Sequence, residues 1–318
     1  MTHFDVFNGD ADGLCALHQL RLEQPIDSVL VTGVKRDIAL LQRVAAGPGD
    51  TVTALDISLD SNREALIALL DRGIRVEYFD HHYAGAVPER PQLTAHIDTA
   101  PGVCTGMIVD RHLGGRQRIW AVVAAYGDNL GAAAAQLAQP LALDATRLAA
   151  LRELGETLAY NAYGETEADL VVAPADLYRL MRPHADPFTF MRDEGVFRKM
   201  SEGRRADLGL ARAIQPEVVL AGAIVYILPD DAWSRRVHGV FANELTHAAP
   251  RLAHAVLTAN AGGTFTVSVR APLAKRTGAD ALCRQFAHGG GRAAAAGINQ
   301  LPQEELPRFL RALGEAYP

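Results

Sequence analysis

Over the first eighty residues, short apolar runs alternate with apolar positions at helical spacing. Residues 3–7, 28–32, 51–55 and 74–79 read as strands, each closed by Gly, Asp or Asn. Residues 13–22 read as a helix, with Leu14, Leu17 and Leu20 three apart, and residues 38–44 and 61–71 as two more. This strand–helix alternation predicts an α/β fold whose N-terminal, mostly parallel sheet is flanked by helices. In such sheets ligands gather at the carboxyl ends of the strands.

The pattern then changes. Residues 104–182 are helical and alanine-rich, and Pro183, Pro187 and a charged run at 192–205 suggest a helical connector. Residues 218–228 are strand-like and end at Pro229-Asp230-Asp231. Two further strands, 251–258 and 264–270, are joined through the turn signal Asn260-Ala261-Gly262-Gly263. Residues 277–286 look helical, and His288 to Arg292 form a glycine-rich loop. The expected organisation is a first domain over 1–190, a linker over 191–215 and a smaller C-terminal α/β domain with a mixed sheet over 216–318.

Composition narrows the function. A chain of 318 residues, 49% hydrophobic and 21% charged, is globular and long enough for two cores. Its net charge of −6 disfavours coating long nucleic acid by charge alone, so an anionic ligand would need local cations or metal ions. Cys15, Cys104 and Cys283 are too scattered for a disulfide framework or a zinc knuckle. No signal peptide or 18-residue apolar run is visible, so a soluble cytoplasmic protein without a membrane partner is expected. A homodimer is carried as one candidate assembly.

Candidate chemistry sits just past the strands. Asp10 and Asp12 lie in Asn8-Gly9-Asp10-Ala11-Asp12-Gly13, Asp56 follows residues 51–55, and Asp80-His81-His82 follow the fourth strand. Singly, an Asp in such a place is a turn or cap residue, as Asp60 is expected to be. Together, clustered carboxylates repel unless cations lie between them. Oxygen ligands with one or two imidazoles suit divalent metals, and a pair of ions roughly 3.5–4 Å apart can clamp a phosphoryl group.

Gly9-Asp10-Ala11-Asp12-Gly13, Asp56 and Asp80-His81-His82, in this order and spacing, resemble the motifs of the DHH phosphoesterase superfamily. That group includes RecJ-like exonucleases, nano-RNases that act as pAp phosphatases, cyclic dinucleotide phosphodiesterases, exopolyphosphatases and family II inorganic pyrophosphatases. The resemblance implies that Asp10 holds one metal, Asp12 the other, and that Asp56 bridges them. It implies His81 as a further ligand and His82 facing the substrate phosphate. Ala124-Ala125-Tyr126-Gly127-Asp128-Asn129 matches the family's fourth motif and makes Asp128 a ligand. Asp80 would orient the histidines from behind. Manganese is the implied ion, with magnesium or cobalt as alternatives and one or two ions bound.

The chain departs from the pattern where members carry a His four residues before the first Asp of the pair. Val6 stands there, and Asn8 stands where RecJ-like members have an Asp, leaving the first metal site short of a ligand unless Asn8 lends a neutral oxygen. His96 and Asp98 are read as loop or strand-end residues. Thr105-Gly106 opens a helix whose amides could meet an anion.

Toward the C-terminus, Phe286-Ala287-His288-Gly289-Gly290-Gly291-Arg292 followed by Ala295-Ala296-Gly297 resembles the GGHxxAAG motif of the DHH-associated domain, with Arg292 at the usual His. Ser268-Val269-Arg270 resembles its substrate-contacting Ser-x-Arg. Ser268, Arg270, Gly289, Gly290, Gly291 and Arg292 are thus the expected substrate-binding set, opposite the metals in a two-domain clamp. The expected activity is hydrolysis of a phosphoester in a short oligonucleotide or nucleotide phosphate by metal-activated water. Polyphosphate or another phosphate anhydride is the alternative substrate, and a non-catalytic nucleotide binder is the alternative class, favoured by Val6.

Overall fold

Five strands build the first sheet: β1 (His3–Phe7), β2 (Ser28–Val31), β3 (Thr51–Leu55), β4 (Arg75–Asp80) and β5 (Leu93–Ile97). They are all parallel, in the order β2-β1-β3-β4-β5. Side chains alternate across it. Phe7, Leu55 and Phe79 enter one buried cluster, while Phe4, Val6, Val52, Ala54, Val76 and Tyr78 enter another. Burial on both faces is what a parallel sheet with helices on each side requires.

Nine helices accompany this sheet: α1 (Ala11–Glu23), α2 (Arg63–Asp71), α3 (Thr105–His112), α4 (Arg118–Gly127), α5 (Gly131–Ala138), α6 (Ala145–Ala162), α7 (Pro174–Met181), α8 (Pro187–Asp193) and α9 (Gly195–Ala213). Residues of α1, α3, α4 and α6 fill the first cluster, and Leu66, Leu69 and Leu70 of α2 the second. The structure, a computed structural model, describes residues 1–318 and divides into two compact units, Met1–Glu202 and Gly203–Pro318. The stretch expected as a linker is largely α9, which runs through that division.

The second unit carries β6 (Val218–Val219), β7 (Ala223–Leu228), β8 (Ala253–Asn260), β9 (Thr264–Arg270), β10 (Gly289–Arg292) and β11 (Ala295–Pro302), with α10 (Ala232–Ala248), α11 (Ala279–Cys283) and α12 (Leu306–Ala316). Its mixed sheet has the order β10-β11-β9-β8-β7-β6, and only β7 and β8 run parallel. A core of Val225, Ala255, Leu257, Val267, Val269, Ile298, Phe309 and Leu313 lies against one face.

Four local expectations differ. Residues 38–44 form only a 3₁₀ turn at Leu40–Arg43. There the Leu41 amide donates to the Asn62 side chain, and both Leu40 and Leu41 are buried, so a residue distant in sequence satisfies a backbone group that a helix would have satisfied. The apolar run 218–228 folds back on itself as β6 and β7. The helix expected at 277–286 is five residues long and starts after Gly278, whose φ of 98° is left-handed. The glycine-rich segment 289–292 is not a loop but the edge strand β10, paired antiparallel with β11. No helix is long and apolar enough to cross a membrane.

Candidate metal centre

The order 2-1-3-4-5 reverses direction between β1 and β3, which opens a crevice at their carboxyl ends. The loops there are stacked side by side. The Asn8 amide donates to Leu55 O (3.2 Å), Asp56 to Phe79 O (3.0 Å) and Asp98 to Asp80 O (3.2 Å). Each strand therefore delivers its post-strand acid to the same edge. Asp56 does so with φ of 59°, an unusual conformation for a non-glycine and one that collects at functional sites.

Asp10 caps α1, its carboxylate accepting from the Asp12 and Gly13 amides at 2.9 and 3.1 Å. Asn8 holds this turn. Its Oδ1 accepts from the Asp10 amide and its Nδ2 donates to Lys35 O, both at 3.1 Å. Asp12 points at a second helix start, where the Thr105 and Gly106 amides donate to its two oxygens at 2.7 Å each. Gly106 allows that approach, since a Cβ there would lie 2.5 Å from Ala124 Cβ and 3.2 Å from Asp12 Oδ1. The Thr105 hydroxyl donates to Asp56 Oδ1 at 3.0 Å. Asp128 is the residue that ends α4, and α4 lies tight against α1, Gly127 facing Ala11 where any added Cβ would clash at 2.2 Å.

The histidines are oriented from behind. His81 Nδ1 lies 2.8 Å from Val103 O, so Nδ1 carries a hydrogen and Nε2 is turned toward Asp56 (3.5 Å) and Asp12 (3.9 Å). His82 Nδ1 meets the buried Asp80 carboxylate at 2.7 Å while its ring stays 45% exposed. Burial works against its charged form, but Asp80 outweighs that and raises its pKa.

Lys35, which belongs to no motif of the sequence, completes the cluster. Its ammonium lies 2.5 Å from Asp10 Oδ2 and 5.6 Å from the Tyr163 ring, and its amide is fixed to Ala162 O at 2.9 Å. Burial alone would raise the Asp10 pKa, but the Lys35 charge and hydrogen bonds hold it at about 2. Asp56 is pushed well up by burial, then by Asp12, Asp10 and Asp128. Asp128 rises to about 6 through burial and the Asp12 charge, with Lys35 acting the other way.

These donors fit a divalent cation. Two ligands on one ion at about 2.1 Å lie roughly 3.0–3.4 Å apart at octahedral or tetrahedral angles, close to the 3.5 Å between His81 Nε2 and Asp56 Oδ1. The donor atoms of Asp56, His81 and His82 all lie within 4.8 Å of one another. Val6 is fully buried among apolar side chains and offers nothing to the cluster. His96 and Asp98 are not part of it. His96 stacks on Phe79 and meets Glu77 at 3.3 Å, and Asp98 pairs with Arg111.

The other expected residues belong to the second unit. Arg270 is anchored by Asn243 (2.6 Å) and Ser268 (2.8 Å). Across the sheet Arg270 is opposite Ala295 and Ala295 opposite Arg292, so the two arginines share a face. The next row on that face is Ser268, Gly297 and Gly290. Gly291, at φ of 138° and with Ala296 Cα 2.5 Å from any added Cβ, admits only glycine.

The parallel 2-1-3-4-5 sheet followed by a smaller mixed sheet is a fold the chain shares with solved exonuclease and phosphodiesterase structures. The chain is similar throughout its length to a manganese-bound RecJ exonuclease (17% identity, TM-score 0.63), covering 100% of this chain and 91% of that one. It is similar to the pGpG-specific phosphodiesterase PggH of Vibrio cholerae (16% identity, TM-score 0.59), covering 99% and 98%. A third similar structure, RecJ with Mn2+ from Thermus thermophilus (17% identity, TM-score 0.59), is covered over 51% of its length and covers 99% of this chain. No family profile and no curated protein matches the chain.

Proposed function

We propose that the protein is a divalent-metal-dependent phosphoesterase acting on a short oligonucleotide or nucleotide phosphate. The observation that carries this is the meeting of Asp10, Asp12, Asp56 and Asp128 with a His81 ring whose Nε2 is held ready to ligate. Asp12, Asp56, His81 and Asp128, with Asp10 beside them, would hold the ion, with manganese favoured. When bound, the ion polarises phosphoryl oxygens and makes water acidic enough to serve as nucleophile.

The chain's own groups do the rest. Thr105 and the first amides of α3 fix the Asp56 and Asp12 carboxylates, so little reorganisation is left for the reaction. His82, its pKa raised by Asp80 and its ring open to solvent, is placed to donate a hydrogen bond to a non-bridging phosphate oxygen. In the second unit Ser268, Arg270 and Arg292, beside Gly289, Gly290 and Gly291, offer a face for phosphate groups; guanidinium forks suit phosphate.

The test is turnover of bis-p-nitrophenyl phosphate with manganese, then a panel of pAp, short RNA, short DNA, linear and cyclic dinucleotides, and polyphosphate. Hydrolysis of a nucleotide substrate that disappears in folded Asp56→Ala supports the reading. Cleavage of polyphosphate alone would replace the substrate class, and tight nucleotide binding without turnover would make the protein a binder.

A further inference from the structure

We infer that Lys35 is a built-in second cation, so that this site takes one divalent ion per chain where a two-ion centre would take two. The inference rests on the metal-site reading above and deepens it.

Four carboxylates face one another here, and a pair of divalent ions is one way to offset such a cluster. The chain supplies a positive charge of its own at one end of it. Lys35 is one of only three lysines in 318 residues, and its ammonium is seated against Asp10 Oδ2 with side-chain exposures of 30% and 5%. It does not arrive there by the reach of a loose side chain. Its amide is bonded to Ala162 O, and its carbonyl accepts from Asn8, the residue that also holds the Asp10 amide. Asn8 thus ties the backbones of Lys35 and Asp10 together, and a compact ammonium on a flexible stem fills the remaining gap.

The donor count agrees. Asp10 Oδ1 accepts from two amides of α1 and Oδ2 from Lys35. Both oxygens of Asp10 are engaged by the protein, as both oxygens of Asp12 are by the first amides of α3, but only Asp10 is in contact with a cation, and an ion there would crowd the Lys35 ammonium. Val6, on β1 just before the Asp10 turn, lies in the core and supplies no ligand. At the other end His81 Nε2 stands 3.5 Å from Asp56 and 3.9 Å from Asp12, with no lysine or arginine paired to either carboxylate. One ion fits there. Lys35 is then the partner that contacts the phosphate from the side an ion would otherwise occupy.

The test is metal stoichiometry. Purified protein is loaded with Mn2+, gel-filtered and counted by mass spectrometry, with the manganese EPR spectrum recorded on the same samples. The wild-type chain is expected to hold one ion with the six-line spectrum of an isolated Mn2+, and Lys35→Arg the same. Lys35→Ala is expected to hold up to twice as much, with spin-coupled features from a neighbouring pair. Two ions in the wild-type chain overturn the inference while leaving the metal reading intact. One ion in folded Lys35→Ala also overturns it. No bound ion in any sample refutes the metal reading itself. If Lys35→Ala does not fold, Lys35→Gln, which keeps the length and loses the charge, takes its place.

Discussion

Replacing Asp128 with Asn should make the metal-free protein more stable while impairing the metal site. Asp128 ends α4, where a carboxylate faces the negative end of the helix dipole, and it shares its surroundings with Asp12 and Asp10. Its pKa of about 6, up from 3.8, means that the fold favours its neutral form. Such a group adds stability below pH 4 that is lost as pH rises through 6, because the native state binds the proton more tightly than the unfolded chain. At about 1.4 kcal/mol per pH unit the loss has a ceiling of about 3 kcal/mol, and solvent screening of a half-buried group brings it to about 1–2 kcal/mol. For a unit of this size that is about 2–8 °C in Tm. The assay is thermal unfolding in EDTA at pH 4 and pH 7.5. Asp128→Asn should match wild type at pH 4, exceed it by several degrees at pH 7.5, and gain less than wild type when Mn2+ is added. A variant equally destabilised at both pH values would refute the claim that carboxylate repulsion strains this site.

Three further outcomes follow from the geometry. His82→Gln should lower kcat about 10–100-fold, and since Asp80 raises the His82 pKa, the contribution of the protonated ring should fade as pH rises; Asp80→Asn should shift that decline to lower pH in the pH–rate profile. Gly106→Ala should cost about 1–3 kcal/mol in urea unfolding and weaken Mn2+ binding by calorimetry, because its Cβ meets Ala124 and crowds Asp12. Arg270→Ala should raise KM for an oligonucleotide about tenfold or more while leaving turnover of bis-p-nitrophenyl phosphate near wild type, and equal losses on both substrates would count against a substrate-reading role.

The parallel sheet is legible in the sequence because its strands are buried on both faces and so read as apolar runs closed by Asp and Gly. The Asp10, Asp12, Asp56 and His81 set is legible for a related reason: each sits within a few residues of a strand end, so local order already fixes the edge it occupies. Lys35 is not. It lies beyond β2 in a segment without periodicity, and only the backbone bonds to Asn8 and Ala162 bring it to Asp10. The strand β10 carries no local signal because Gly-Gly-Gly-Arg has no intrinsic strand preference, and its pairing with β11 supplies the order. The turn at Leu40–Arg43 reads as a helix for want of its distant partner, Asn62.

The short run from Val103 to Gly106 touches three of the proposed ligands at once: Val103 O meets His81, Thr105 meets Asp56 and Asp12, and Gly106 meets Asp12. These four residues act as a common hinge-pin for the site. Perturbations there should not add. Thr105→Val combined with His81→Ala should cost less than the two changes separately, since each already loosens what the other holds. Insertions near the site are thus better tolerated before residue 103 than within 103–106, where one misplaced peptide would misalign three donors.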